Sequence, residues 1–143
     1  MGYRVGVYGP VDEEGFEALA RLGVDAVFVE PDAGLVRAAR GAGLKVYACI
    51  WAFKAPVDEV GLGVLGVDGV RRLWSGTGCP NNPEVRRYCL RRVEEALSLG
   101  VDGVVLDGVR FPSPGSGFEV FASCLCEHCV EGARSWGFDV EAI

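Results

Sequence analysis

Amide side chains are scarce in this sequence, which has no glutamine and only two asparagines, Asn81 and Asn82. Arginine also far outnumbers lysine. A loss of heat-labile amides is typical of thermophilic proteins, although a GC-rich genome favours arginine as well. No apolar run approaches the length of a membrane span, which excludes a transmembrane chain. The formal net charge of −6 argues against general binding to nucleic acid or to an anionic membrane.

A signal peptide is also missing, because Met1-Gly2-Tyr3-Arg4 leads directly into a strand-like run. We therefore expect a cytoplasmic protein. The length of 143 residues suits one sizeable core and is too short for two ordinary domains, so we predict a single domain over residues 1–143. Six cysteines in a cytoplasmic chain indicate metal or redox chemistry before a disulfide scaffold, although some thermophiles keep intracellular disulfides.

Strand-like and helix-like segments alternate along the chain, with short glycine-rich joints between them. The predicted strands cover residues 4–8, 24–29, 44–53 and 101–109. The predicted helices follow the caps Asp12, Asp32 and Asn82, with a fourth from about Val130. A glycine-rich insertion at about 54–80 and a cysteine-rich loop at about 111–129 interrupt the pattern. Continuous apolar strands between amphipathic helices predict an α/β fold with a parallel sheet of about four β/α units, which is half of a TIM-type barrel.

An internal repeat supports this architecture, because residues 22–30 match residues 99–107. Each copy contains a helix end, a turn, a strand and a carboxylate at the C-terminal tip of that strand. Since (β/α) barrels carry their chemistry at those tips, Glu30 and Asp107 are candidate catalytic residues. The opposite end of each strand carries an aspartate that we interpret as a turn or capping residue: Asp25 and Asp102.

The most specific local pattern is Cys124-Leu125-Cys126-Glu127-His128-Cys129. Its Cys-x-Cys-x-x-Cys spacing brings three thiolates together, and tetrahedral zinc needs one more ligand. Cys79 is the natural fourth ligand, because it follows the third strand and lies on the same face as the loop after the fourth; His128 is an alternative. A redox pair of Cys126 and Cys129, an iron–sulfur site and disulfides stay open. We favour a structural zinc ion, because the ligand count and spacing suit a closed site.

Three further side chains near the strand tips are candidates for binding a substrate. Trp51, at the end of the third strand, and Trp74 offer rings on which a sugar could stack, although a single tryptophan near a barrel rim is more often a packing residue. Arg110 follows Asp107 closely, and the alternative is a salt bridge between the two that only shapes the loop. The remaining cysteines are interpreted as core residues: Cys49 and Cys89.

Three features of the second half of the chain occur together. They are the segment Cys79-Pro80-Asn81-Asn82-Pro83-Glu84-Val85-Arg86, a strand that ends in a carboxylate, and the Cys-x-Cys-x-x-Cys loop. In this combination the chain resembles the zinc-cluster β-galactosidases of glycoside hydrolase family 42, which are (β/α)-barrel retaining glycosidases. The resemblance implies that zinc is held by four ligands: Cys79, Cys124, Cys126 and Cys129.

The tip of the fourth strand departs from that family. Its members end this strand with Asn-Glu, the glutamate being the acid/base, whereas here Asp107 is followed by Gly108 and Val109. The segment 107–112, Asp-Gly-Val-Arg-Phe-Pro, is similar instead to uncharacterised glycosidase-like barrels with an Asp-x-x-Arg-Phe-Pro tip. It is also similar to barrels of the α-galactosidase type, in which an aspartate at this tip is the nucleophile.

These features predict a glycoside hydrolase-like protein that cleaves O-glycosyl bonds, with Asp107 as nucleophile or as stabiliser of an oxocarbenium-like centre. Retaining glycosidases need a second carboxyl group about 5–5.5 Å away, for which Glu30 and Glu119 are candidates. A half barrel leaves two strand edges open, so we expect a homo-oligomer or a partner chain that supplies the rest of the barrel. The alternatives are a carbohydrate-binding protein without catalysis and a zinc-stapled structural subunit.

Overall fold

The computed structural model of the chain describes residues 4–9, 11–56 and 59–140. The elements in chain order are β1 Gly6–Tyr8, α1 Glu13–Arg21, β2 Ala26–Val29, α2 Ala33–Gly41, β3 Lys45–Trp51, β4 Val64–Leu65, β5 Arg71–Arg72, α3 Pro83–Ser98, β6 Gly103–Asp107, α4 Phe118–Phe121 and α5 Glu127–Ser135. The predicted α/β class is confirmed, because four parallel strands form one sheet in the order β1-β2-β3-β6, with helices between them. Within the described ranges, no helix is long and apolar enough to cross a membrane.

Several element boundaries differ from the predicted ones. The strand β3 ends at Trp51, because Phe53 adopts a left-handed backbone conformation with a φ of 58° that a strand does not accommodate. The helix α5 begins at Glu127 instead of near Val130, and Cys126 is its N-cap residue. Inside the predicted glycine-rich insertion, β4 and β5 pair as a short antiparallel hairpin that the sequence pattern did not indicate.

The chain divides into two compact units. The first comprises Met1–Trp51 and Arg91–Asp107 and contains the parallel sheet. The second comprises Ala52–Leu90 and Gly108–Ile143. The predicted glycine-rich insertion and the predicted cysteine-rich loop both fall in the second unit, which a single-domain interpretation does not separate from the sheet.

The core of the first unit lies on one face of the parallel sheet. Alternate residues of β3 are fully buried, as expected for a strand with one packed face: Val46, Ala48 and Ile50. They belong to clusters that include side chains of the neighbouring strand and of the helices, among them Phe16, Val27, Val36, Ala39 and Ala96. The other face carries Tyr47, Cys49 and Trp51 of β3. This second sheet face is only partly covered, and Trp51 is 38% exposed.

The two repeated aspartates perform the same structural task, which is to link neighbouring strands and differs from the predicted turn or capping role. Asp25 Oδ2 accepts a hydrogen bond from the Val5 N–H at 2.8 Å. Asp102 Oδ2 accepts one from the Val46 N–H at 2.9 Å. In both cases a backbone hydrogen bond runs in the opposite direction, because the N–H of each aspartate donates to the carbonyl of the same valine. The repeat in the sequence therefore encodes a repeated link between the start of one strand and the start of its neighbour.

The second unit has less regular structure and a smaller core. One buried cluster consists of Ala55, Leu62 and Val85. A second buried cluster contains Val64 of β4 together with two cysteines. The hairpin of β4 and β5 pairs Val64 with Arg72 and Leu65 with Arg71. Sulfur atoms therefore form part of the packed interior in this unit.

We expect the Asp102→Ala variant to lower the free energy of unfolding by about 1–3 kcal/mol, because the partly buried Val46 N–H loses its acceptor. The Asp102→Asn variant keeps a side-chain oxygen and should lose less. Chemical denaturation of the wild type and both variants measures the difference. Equal losses in the two variants would contradict the assigned role of the carboxylate oxygen.

Candidate metal centre and strand-tip site

Four cysteine sulfur atoms of the second unit lie close together. The Sγ atoms of Cys79, Cys124, Cys126 and Cys129 are all within 4.8 Å of one another. Cys79 Sγ lies 3.6 Å from Cys126 Sγ and 3.4 Å from Cys129 Sγ. All four are free thiols, and a disulfide would bring two sulfurs to about 2.05 Å. This four-cysteine cluster could hold a metal ion, as the sequence predicts.

The fold assembles the cluster from two places in the sequence. Cys79 precedes α3, whereas the other three cysteines lie around the start of α5, with Cys126 as its N-cap residue. The strand β4 positions the loop that carries Cys124 and Cys126. The Leu125 N–H donates to the Leu65 carbonyl at 2.9 Å, and the Leu65 N–H donates to Cys124 Sγ at 3.1 Å. The hairpin missed in the sequence is therefore part of the frame that holds the sulfur atoms.

Crowding makes the ionisation of three of these thiols interdependent, namely Cys79, Cys124 and Cys129. Cys79 and Cys126 are 0% and 1% exposed. Hydrogen bonds from the thiols of Cys129 and Cys79 lower the pKa of Cys124. The same hydrogen bonds to Cys124 raise the pKa of Cys79 and of Cys129. Cys124 therefore ionises readily whereas Cys79 and Cys129 resist ionisation, so several thiolates can coexist here only around a positive charge.

The predicted alternative ligand, His128, has a different neighbour. Its Nε2 atom lies 3.6 Å from Glu127 Oε1. In the part of the chain that the structure describes, no histidine nitrogen joins the ligand atoms of the cluster. Glu127 also pairs with Arg71 at 2.8 Å. The structure thus brings Cys79 to the three cysteines of the loop and leaves His128 beside the cluster.

A second candidate site lies at the C-terminal tips of the strands in the first unit. Asp107 ends β6 and stands in register with Trp51, which ends β3. Tyr8 ends β1, and its hydroxyl donates to Asp107 Oδ2 at 3.4 Å. Cys49, two residues before Trp51, lies on the same face of β3. Three strand tips therefore place a carboxylate, a phenol and an indole on the second sheet face.

The Tyr8–Asp107 contact also reports the shape of the sheet. It joins β1 and β6, which are the two edge strands of the four-stranded sheet. In a flat sheet these edges would be about 14 Å apart, with side chains standing parallel to one another. Two side chains of this length meet only if the edges turn toward each other. The second sheet face is therefore concave.

A cavity of about 550 Å³ opens beside Tyr8. Its lining residues are Tyr8, Gly9, Val11, Asp12, Phe28, Val29, Glu30, Leu35 and Cys49. Glu30 is exposed there, so one of the predicted catalytic carboxylates lies at the cavity. Tyr8 connects the cavity to Asp107 through its hydroxyl. Glu119, by contrast, is exposed on α4 and belongs to the second unit.

The two other predicted binding residues contact each other in the second unit. The guanidinium carbon of Arg110 lies 4.5 Å from the centre of the Trp74 ring. Trp74 is half-buried, and its N–H and carbonyl bond with Thr77 at 3.2 and 2.8 Å. This cation–π contact occupies one face of the indole. Trp51, at the tip of β3 in the first unit, is 38% exposed.

Tyr8 and Cys49 are the tip residues that the sequence analysis missed. Cys49, interpreted there as core, is half-buried and lines the cavity, because it occupies a position of β3 that faces the partly covered side. Burial raises the pKa of Cys49. The charge of Cys49, burial and Asp107 together raise the pKa of Tyr8. Tyr8 could have been found by applying to the first strand the tip rule that selected Glu30 and Asp107. The other predicted core cysteine, Cys89, is buried.

Comparison with known proteins identifies a shared fold and no family. No protein-family model and no curated protein matches the chain. The chain is similar to the crystal structure of a hypothetical protein from Ruminiclostridium thermocellum ATCC 27405, with a TM-score of 0.62 and 17% sequence identity. The similarity covers 76% of this chain and 78% of that chain, so the two are of comparable length. At this identity the likeness concerns the fold alone.

We expect one divalent metal ion per chain, and we expect Cys126→Ser to reduce that content sharply because it removes one buried ligand of the cluster. Elemental analysis of the purified protein measures the stoichiometry. Lowering the pH should release the ion, since protons compete with the metal for thiolates. Cys49→Ser, outside the cluster, is the matched control and should keep the ion. Equal metal content in both variants would show that the ion binds elsewhere.

Proposed function

We propose that the chain is a half barrel of the glycoside-hydrolase type, stapled by zinc, in which Asp107 acts as nucleophile or charge stabiliser during O-glycosyl hydrolysis. The observation that carries the proposal is the strand-tip arrangement of Asp107, Tyr8 and Trp51. Parallel strands in chain order, helices packed on one face and a concave second face are what half of a (β/α) barrel requires.

The surroundings of Asp107 suit a carboxylate that faces a sugar. The hydroxyl of Tyr8 donates to one carboxylate oxygen, which orients the group. Trp51 stands beside it on the adjacent strand, and an exposed indole offers an apolar plane to a pyranose ring. In the reaction Asp107 would attack the anomeric carbon or balance the charge that develops there. Glu30, at the cavity beyond Tyr8, is the candidate for the proton-transferring carboxyl group.

Zinc is the metal we propose for the four-cysteine cluster. A tetrahedral site with Zn–S bonds of about 2.3 Å has sulfur–sulfur edges of about 3.8 Å. Two Sγ separations of Cys79, 3.4 Å to Cys129 and 3.6 Å to Cys126, are near this value. Four thiolate ligands fill the coordination shell, so the ion would have a structural role and no position open to substrate. A zinc ion bound there supplies the positive charge that the crowded thiolates need.

The Asp107→Asn variant tests the proposed reaction on a panel of 4-nitrophenyl glycosides of both anomeric configurations. We expect the variant to lose turnover by about 100-fold or more, because an amide neither attacks nor carries the balancing charge. The Asp25→Asn variant is the matched control, since Asp25 lies at the opposite end of its strand. If Asp107→Asn turned over these substrates at the wild-type rate, Asp107 would be excluded as the reacting group.

A carbohydrate-binding or structural role without hydrolysis is the second candidate. It is favoured by Gly108 and Val109, which stand where the resembled galactosidases have Asn-Glu. Under this function the wild type would bind oligosaccharides without cleaving them, and Trp51→Ala would weaken that binding. A chain that neither binds nor cleaves sugars would be left with the structural role alone.

We also propose that a second copy of this chain completes the barrel. Among the described residues, β1 and β6 are the two edge strands of the parallel sheet. The concave face between them exposes aromatic side chains such as Tyr8, which is 64% exposed. Parallel sheets are otherwise covered on both faces. If β6 of each copy pairs with β1 of the other, eight parallel strands close around a two-fold axis. Such an assembly leaves no sheet edge exposed to further pairing.

Native mass spectrometry should therefore give about twice the 15.2 kDa of one chain. Val105→Lys places a charge on the second sheet face beside Cys49 and should give the single-chain mass, because closing the barrel would bury that charge. Leu22→Lys is the control, since Leu22 is 81% exposed beyond α1. A single-chain wild type at all concentrations would exclude the homodimer.

A further inference from the structure

Both amide side chains of this sequence lie in the segment that leads from the metal cluster into α3. The chain has no glutamine and two asparagines, which are the adjacent Asn81 and Asn82. Asn82 caps the helix, because its Oδ1 accepts from the Glu84 N–H at 2.8 Å. Asn81 has no such capping bond to explain it. Instead, its Nδ2 donates to Cys129 Sγ at 3.4 Å.

Arg86 fixes the orientation of that amide. Its Nη2 atom donates to Asn81 Oδ1 at 2.8 Å, while its Nε atom donates to the Pro80 carbonyl at 2.6 Å. A guanidinium carries donors only, so the asparagine oxygen must face it and the NH2 group must face away. The NH2 group then points at the sulfur of Cys129. Arg86 and Asn81 therefore form a chain of two hydrogen bonds, called the relay below, that runs from the helix α3 to the sulfur of Cys129.

The positive charge of Arg86 is opposite in sign to the charge of a metal-loaded cluster. A divalent ion held by four thiolates carries a net charge of −2. Cys129 is half-buried, so water cannot balance all of that charge. Arg86 contributes a positive charge behind the amide, and the amide N–H contributes the positive end of a dipole to the sulfur. Partners of this kind orient metal ligands and typically change metal affinity by about 10–100-fold when removed.

We infer that Asn81 and Arg86 are positioning residues for metal binding, which hold Cys129 in its ligating geometry and stabilise its thiolate. The inference rests on the proposed metal site and adds to it two residues that do not touch the ion. The sequence already contains both in the Cys79-Pro80-Asn81-Asn82-Pro83-Glu84-Val85-Arg86 segment. Their spacing of five places Asn81 just before α3 and Arg86 within the first turns of that helix.

The test is zinc affinity, measured by competition with a chromophoric chelator, on wild type and three variants. Asn81→Asp keeps the oxygen that Arg86 binds but turns a second oxygen, instead of an amine, toward Cys129. We expect this variant to bind zinc about 10–100-fold more weakly. Arg86→Ala should weaken binding in the same direction by releasing the amide. Arg87→Ala, the adjacent exposed arginine on α3, is the matched control and should bind as the wild type does.

A purely structural role for the pair is distinguished by spectroscopy. With cobalt in place of zinc, the sulfur-to-metal charge-transfer absorption should shift in Asn81→Asp and not in Arg87→Ala. A loss of folding stability alone would leave that absorption unchanged in the folded variant. Wild-type zinc affinity and an unchanged spectrum in both Asn81→Asp and Arg86→Ala would overturn the inference. A wild-type chain that binds no metal would overturn the metal site itself, which is a different result.

Discussion

Four sulfur atoms held within 4.8 Å of one another are the constraint on which the second unit depends. The β structure there is minimal, because its strands have two residues each. Its buried side chains form two small clusters, and one of them contains Cys79 and Cys126. A metal ion that binds such a cluster adds its binding free energy to the stability of the fold. Metal ligation there would supplement these two small clusters, whereas the first unit builds a larger apolar core on its sheet.

The first unit faces a different constraint, which is the covering of a parallel sheet. On one face, the helices pack against alternate residues of β3 that are fully buried, such as Val46. The other face curls so far that Tyr8 and Asp107 meet across the two edge strands. A concave, partly apolar surface with a carboxylate at its rim is poorly suited to solvent and well suited to a ligand or a second sheet. The proposed function and the proposed assembly both follow from this one shape.

The sequence predicts best those features that depend on short-range spacing. The loop of 124–129 indicates a metal cluster because its three cysteines are neighbours along the chain, and the repeat indicates Asp25 and Asp102 because each acts on the adjacent strand. The contact of Tyr8 with Asp107 spans 99 residues and depends on how strongly the sheet curls. The hairpin of β4 and β5 is missed for a related reason, since two-residue strands carry no periodicity.

The two candidate sites have different proposed roles, which are structural at the four-cysteine cluster and catalytic at the strand tips. A closed tetrathiolate site has no coordination position for a substrate, so the proposed hydrolysis would take place at the strand tips. There Asp107 needs a second carboxyl group, and Glu30 follows β2, two strands away in the order β1-β2-β3-β6. In the proposed two-copy barrel, β6 is followed by β1 and β2 of the second chain. Glu30 of the partner subunit then stands two strands from Asp107 on its other side. Closing the barrel would flank each Asp107 with two such carboxylates, which links assembly directly to the proposed activity.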